Sequence, residues 1–216
     1  MSLIVHHLNN SRSQRILWLL EEIGIPYEIK FYDRDPITNL APPELVAVHP
    51  LGKSPVLEDR NDSASGGRGR IIIESAAIAE YLCDYHGGSA LVPQRGTDDH
   101  VRHLQWMHFA EGSAMTPILL RLYTARLGEA AATLEPRIAQ QLDSHFSYME
   151  NEVSDAGHFV GDNLSAADIM LSFPAEIAIM QGMAPRYPKL ANFVNACHDR
   201  PAWRRAREKG GAYYGY

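Results

Sequence analysis

Long apolar runs are missing from this 216-residue sequence. Nothing approaches the roughly 18 consecutive apolar residues that a bilayer-spanning helix needs. Cysteine is scarce: Cys83 and Cys197 lie far apart, too few for a disulfide framework, so a reducing cytoplasm is the expected location. Neither belongs to a Cys-x-x-Cys pair, which counts against dithiol redox chemistry. The start, Met1 to His7, lacks the basic opening and apolar stretch of a secretion signal. Positive charge is also short, 20 Lys and Arg against 26 Asp and Glu for a net charge of -6. Phosphate neutralisation needs a basic surface, so nucleic acid is excluded as the main partner. The basic run Arg204, Arg205, Arg207, Lys209 is local and reads as the solvated end of a helix. Histidine is plentiful but forms no ligand set. His6 and His7 are neighbours in a strand and point to opposite faces. His100 and His103 share a helix face without a third ligand and read as solvated. No metal is expected.

What is present is an ordinary globular composition, 45% hydrophobic and 21% charged. The length allows one large domain or two small ones. The first half alternates strand and helix patterns. Leu3 to Leu8 reads as a strand, and the helix from about Ser13 carries Ile16, Leu17, Leu19, Leu20 and Ile23 on one side. Gly24 and Pro26 end it. Tyr27 to Tyr32 alternates as a second strand, and one helical turn falls around Glu44 to Val48. Pro55 to Glu58 and Arg70 to Ile73 make two more strands. Between them, residues 60–69 are rich in Asn, Asp, Ser and Gly and read as a hairpin loop. Its Gly-Gly-Arg-Gly-Arg is rejected as a phosphate cradle, because no helix start follows within the loop. Ser75 to Tyr85 is a helix, and residues 87–96 form a linker. Beyond it the chain reads as helix throughout: Thr97 to about Leu127, bent at Pro117, then Leu134 to Met149, a helix from Ser165, and short helices from Pro188 and Pro201. No internal repeat appears. The order is β-α-β-α-β-β-α followed by an all-α half. Residues 1–86 form the first domain and 97–216 the second.

The sharpest local pattern is Asn163-Leu164-Ser165-Ala166-Ala167-Asp168-Ile169. Ser165 and Asp168, three residues apart at a helix start, form a capping box, and Leu164 and Ile169 close it as a hydrophobic staple. Both polar side chains are consumed by the cap, so the pair is assigned to folding rather than to chemistry. The segment 160–169 also resembles the capping box of the core helix in cytosolic glutathione transferases. Further motifs share that resemblance in the right order: residues 10–22 resemble the family's first strand-to-helix turn, 49–57 its Pro-containing loop, and 73–82 its glutamyl-binding segment. The likeness is to bacterial and fungal transferases with Ser-Arg-Ser at the turn. It implies a thioredoxin-like N-terminal domain that binds glutathione and an all-helical domain that binds an electrophile.

The resemblance and the chemistry of glutathione together give candidate residues. Glu74 suits the γ-glutamyl ammonium; Ser75 and the free N–H groups of its helix suit the α-carboxylate. Pro55 matches the family's cis-proline, which lets the backbone of Ser54 pair strand-fashion with the cysteinyl unit. Lys53 is a candidate for the glycyl carboxylate. A free thiol titrates near ~8.5, so only a few per cent is thiolate at neutral pH. Lowering that value by about two units means favouring the thiolate by roughly 2.7 kcal/mol. Ser11, just before the first helix, is the candidate donor, with Asn10 and Ser13 as rivals that also fit a helix cap. For the electrophile the resemblance points to Trp106, Met107, Phe109, Ala110 and Met115, a stripe of which one or two members face a ligand and the rest are core. The tail 213–216 either folds over that site or frays.

The function this implies is conjugation of the glutathione thiolate to small apolar electrophiles, a detoxification chemistry. Glutathione serves as co-substrate, without a metal, in a cytoplasmic homodimer. One rival is a glutathione-dependent peroxidase or reductase, which the lack of a cysteine near the first helix disfavours. The other is a non-catalytic binding or scaffold protein on the same fold.

Overall fold

The structure is a computed structural model and describes residues 3–60, 69–211 and 213. The chain divides into two compact units, Met1–Ala90 with Asp199–Tyr216, and Leu91–His198. In the first unit, β1 (Leu3–Leu8) and β2 (Glu28–Tyr32) pair in parallel across α1 (Ser13–Ile23). The strands β3 (Val56–Asp59) and β4 (Arg70–Ile73) complete a sheet of order β2-β1-β3-β4, with β3 antiparallel to both neighbours. This is the thioredoxin-like mixed sheet expected from the sequence. The β3–β4 pairing brackets the loop read at 60–69, of which 61–68 lie outside the described residues. So do Tyr214 to Tyr216 of the tail, whereas Tyr213 is buried.

Local chemistry explains these elements. Every residue of β1 is buried, as a central strand covered on both faces must be. Gly24 takes the left-handed conformation (φ 78°) that ends α1. The short α2 (Glu44–Val48) is held by Leu45, which packs with Leu8 and Tyr32. The helix α3 (Ser75–Tyr85) buries Ile78, Ala79, Leu82 and Cys83.

The sequence reading placed the last helix in the second domain and its basic run in solvent. In the structure α9 (Pro201–Gly210) belongs to the first unit and packs on α1. The carboxylate of Glu21 accepts from Arg205 Nε at 2.8 Å, from Tyr27 Oη at 2.8 Å and from Lys209. Glu22 takes Arg200 through both oxygens, at 2.6 and 3.0 Å. The basic run therefore docks a helix. Burial works to raise the pKa of Glu21, but the bonds from Lys209, Arg205 and Tyr27 outweigh it and hold the value below the ordinary 4.5. A folded-state pKa below the unfolded one gives stability that is present above the unfolded value and lost as pH falls through the folded one. Thermal melts from neutral pH to below pH 4 should therefore show a steeper acid decline for the wild type than for Glu21→Gln, while parallel curves would show that the cluster carries no net stability.

The second unit contains α4 (Asp98–His108), α5 (Met115–Thr124), α6 (Glu135–Glu152), α7 (Ala166–Ala178) and most of α8 (Pro188–Asp199). Thr97 caps α4 by accepting from the His100 N–H. A bend was expected at Pro117; the irregularity found is a π-helical turn, Phe109–Ala114, just before α5, with Pro117 inside the first turn of that helix. Proline there lacks a donor that a regular helix would need, and the widened turn before it removes that demand. The apolar stripe of α6 is Ile138, Leu142, Phe146 and Met149, all buried; Leu134 precedes the helix and is exposed. His103, read as solvated, is buried, and burial pushes its pKa down to about 4. No helix is long and apolar enough to cross a membrane among the described residues.

Candidate active site

The strand register decides where the candidate residues fall. His6 of β1 stands opposite Val56 of β3, which stands opposite Ile73 of β4. Beyond that row, at one end of the sheet, β1 leads into Asn10 and Ser11, Ser54-Pro55 leads into β3, and β4 leads into Glu74 and Ser75. Segments separated by up to some sixty residues in sequence thus meet at one end of the sheet.

The Ser54-Pro55 bond is cis. The Ser54 hydroxyl donates to the carbonyl of His6 at 2.8 Å and accepts from the Leu8 N–H at 3.2 Å. Its side chain is thereby bound into β1, which leaves its main chain to present to a ligand. Glu74 adopts φ 68° and ψ 120° at the start of α3, a backbone region costly for a residue with a side chain. Its side chain makes no cap bond, and Ser75 is buried at the first position of the helix. Neither side chain has a hydrogen-bond partner among the described residues. The strained pair thus presents a carboxylate, a hydroxyl and unpaired helix N–H groups, a set that matches an ammonium beside a carboxylate. Lys53 is exposed beside the cis bond.

At the turn after β1 the rival donors differ in what they already bind. The N-cap of α1 is Arg12, and it makes no side-chain cap bond. The Ser11 hydroxyl oxygen accepts from the Ser13 N–H at 3.2 Å and lies 2.7 Å from the Ser13 hydroxyl. Ser13 is fully buried, and its hydroxyl lies 2.8 Å from Nδ1 of His7, whose Nε2 lies 3.0 Å from the carbonyl of Gly210 in α9. A carbonyl only accepts, so His7 carries its proton on Nε2, and Nδ1 accepts from Ser13. Burial pushes the pKa of His7 down to about 4 against the bond to Gly210, which raises it, so the ring is neutral near pH 7. Asn10 takes a left-handed conformation (φ 48°). Arg34 holds this turn from outside, donating from Nη2 to the Asn10 carbonyl at 3.0 Å and from Nε to the Asn9 carbonyl at 3.2 Å. Arg34 and His7 were missed in the sequence. Arg34 lies in an irregular stretch without a period to read. His7 did carry a signal, because a polar ring in a wholly buried strand must find partners.

In the second unit Trp106 is packed among Phe159, Tyr148 and Phe109, with ring centroids 4.8 to 5.1 Å away. Met107, Ala110 and Met115 are buried, whereas Phe109, in the π-helical turn, is half-buried. Phe109 is thus the stripe's most accessible side chain. Ser165 and Asp168 make the expected reciprocal cap: the Ser165 N–H donates to Asp168 Oδ2 at 2.7 Å, and the Asp168 N–H donates to the Ser165 hydroxyl oxygen at 3.4 Å. No group of three or more His, Cys, Asp or Glu could hold a metal ion among the described residues.

Comparison with known proteins bears on the whole chain. Residues 11–84 match the family described as glutathione S-transferase, N-terminal domain, and residues 113–201 match its C-terminal domain. Glutathione S-transferase 3 of Schizosaccharomyces pombe is 32% identical, over 96% of this chain and 87% of that protein. A crystal structure of a glutathione S-transferase from Actinobacillus pleuropneumoniae superposes with a TM-score of 0.85 at 32% identity, over 96% of this chain and 92% of that one. A sphingomonad glutathione S-transferase solved in complex with glutathione gives a TM-score of 0.75 at 25% identity, over 98% and 99% of the two chains.

Proposed function

This chain belongs to the glutathione S-transferase family and is a glutathione transferase, and from that premise we propose that it conjugates glutathione to small apolar electrophiles, with Ser11 activating the thiol. The observation that carries the reading is the hydroxyl order at the start of α1. Ser13 has two fixed acceptors for its single proton, Nδ1 of His7 at 2.8 Å and, farther off, the Leu8 carbonyl at 3.4 Å, whereas the proton of Ser11 has no acceptor closer to fixed than another hydroxyl. An incoming thiolate is the stronger acceptor and draws that proton to itself. The start of α1 adds its partial positive charge.

The tripeptide's other groups have matching partners. Glu74 takes the γ-glutamyl ammonium, Ser75 and the α3 N–H groups the α-carboxylate, the Ser54 main chain the cysteinyl unit, and Lys53 the glycyl carboxylate. The complex of the sphingomonad relative with glutathione supports this assignment at the level of the family. A charge-assisted bond is worth about 1.5–3 kcal/mol. Glu74→Ala and Ser75→Ala should therefore each weaken glutathione binding by that amount in titration calorimetry, and unchanged affinity in both removes the glutamyl site from this end of the sheet.

The electrophile site is assigned to the stripe around Phe109, with Trp106, Met107, Ala110 and Met115 behind it. Pure protein should bind glutathione and then consume a chromogenic aryl halide; binding without turnover across a panel of electrophiles would favour a scaffold. The reductase reading needs a protein thiolate. Cys83 offers none, because burial, with Asp84 and Glu80 nearby, pushes its thiol up to about 12. Neither Cys83 nor Cys197 is in a disulfide and both are buried, which suits a cytoplasmic setting. A homodimer is the expected assembly, and light scattering should give twice the 24.1 kDa chain mass; a monomer at every concentration would contradict it.

A further inference from the structure

The chain Ser11, Ser13, His7, Gly210 has few consistent ways to place its protons. Each hydroxyl has one proton, and the carbonyl of Gly210 has none. With His7 neutral, the proton on Nε2 faces Gly210, the Ser13 proton faces Nδ1, and the Ser11 proton faces Ser13. Every bond then points inward from the thiol site, and a neutral S–H can donate to the Ser11 oxygen as a first link. If Ser11 instead turns its proton outward to a thiolate, two hydroxyl oxygens 2.7 Å apart face each other without a proton between them. Ser13 can fill that gap only by leaving Nδ1 of a buried ring unpaired. With a thiolate in place, one arrangement satisfies all the groups: His7 carries both protons, donating to Gly210 and to Ser13, Ser13 donates to Ser11, and Ser11 donates to sulfur.

We propose that ionisation of the bound thiol and protonation of His7 are a single linked event, carried through the Ser11 and Ser13 hydroxyls. The S–H bond breaks and its proton passes to Ser11, the Ser11 proton passes to Ser13, and the Ser13 proton forms the new N–H bond at Nδ1. The products are a thiolate and an imidazolium, with no net change of charge. The inference rests on Ser11 facing the thiol.

The surroundings of the ring fit this role. Ser13 comes from α1, Gly210 from α9, and the edge of Phe31 from β2, its centroid 5.8 Å away. No carboxylate or cation bonds to the ring or acts on its charge among the described residues. Burial without a counter-ion keeps His7 neutral in the free protein, and the thiolate supplies the missing negative charge. The Gly210 carbonyl is held close by tight packing: a Cβ at Gly210 would lie 2.6 Å from Oε1 of Gln14 and 2.9 Å from Cδ1 of Leu17. The acceptor that fixes the ring's tautomer is thereby fixed itself.

The test uses full-length protein labelled with 15N histidine, with His7 assigned through His7→Asn. In the free protein, and with S-methylglutathione bound, the His7 ring should show the neutral Nε2–H form. With glutathione bound at a pH where ultraviolet absorbance reports thiolate, both ring nitrogens should become protonated, and binding should release fewer protons to buffer than thiolates formed. Ser13→Ala interrupts the relay and keeps Ser11 and His7. It should raise the bound thiol's pKa by about one unit, a tenfold loss of thiolate below that value, with glutathione affinity little changed. Ser13→Thr should restore it. A neutral His7 beside a formed thiolate, with Ser13→Ala silent and Ser11→Ala still raising the thiol's pKa, overturns the linkage and leaves the Ser11 assignment standing. A silent Ser11→Ala overturns both.

Discussion

Ser11→Ala should raise the pKa of bound glutathione by about one to two units and slow conjugation at neutral pH by roughly 10–100-fold, the equivalent of one charge-assisted hydrogen bond. Glutathione affinity should change much less, because one hydroxyl contributes little to holding a tripeptide with an ammonium and two carboxylates. Two features limit the loss. The start of α1 would still offer its partial positive charge to the sulfur, and the Ser13 N–H, released from the Ser11 oxygen, would become a free donor. The signature is therefore a fall in kcat that raising the pH recovers, since the thiol then ionises without help. A fall that pH does not recover would mean that the substitution had disturbed the turn itself, which Arg34 and the left-handed Asn10 hold.

Asp168→Ala should destabilise the second unit by about 3–5 kcal/mol, against a total that is usually 5–15. The Asp168 carboxylate is fully buried and accepts from the N–H groups of Phe159 and Ser165, at 2.8 and 2.7 Å, and from the Ser165 hydroxyl at 2.8 Å. Burial pushes its pKa up, against the pull of these donors and of His158. Alanine orphans two buried N–H groups at about 1–3 kcal/mol each and removes the cap as well. Ser165→Ala leaves the Phe159 bond intact and should cost only about 0.5–2 kcal/mol. Denaturant titration checks both values. An alanine variant within 1 kcal/mol of the wild type would show that water replaces the carboxylate.

The contrast between these sites shows what a sequence makes legible. The capping box is local, so two residues three apart in the right order already specify it. The sheet and its helices were equally readable, because β1 is a short apolar-rich run and α1 carries an apolar face at helical spacing that Gly24 and Pro26 end. What failed to show was what covers an exposed-looking face. Arg205 and Lys209 read as solvated, because nothing near them in sequence announces Glu21, more than 180 residues earlier. His7 was weighed only as a metal ligand, because Gly210, which fixes its tautomer, lies 203 residues away. His103 looked polar and external; only the packed unit shows it buried. Pro117 announced a break in the helix, but its exact place depended on how the preceding turn widened. The rival donors Asn10, Ser11 and Ser13 are within three residues of each other, and only their partners distinguish them.

The central claim is that this chain binds glutathione and turns its thiol into a thiolate at neutral pH. The direct measurement is a pH titration of glutathione bound to the wild-type protein, followed by the thiolate's ultraviolet absorbance, with S-methylglutathione as the blank. The account predicts a midpoint near or below pH 7, against ~8.5 for a free thiol. A midpoint at the free value, with binding saturated, would contradict it.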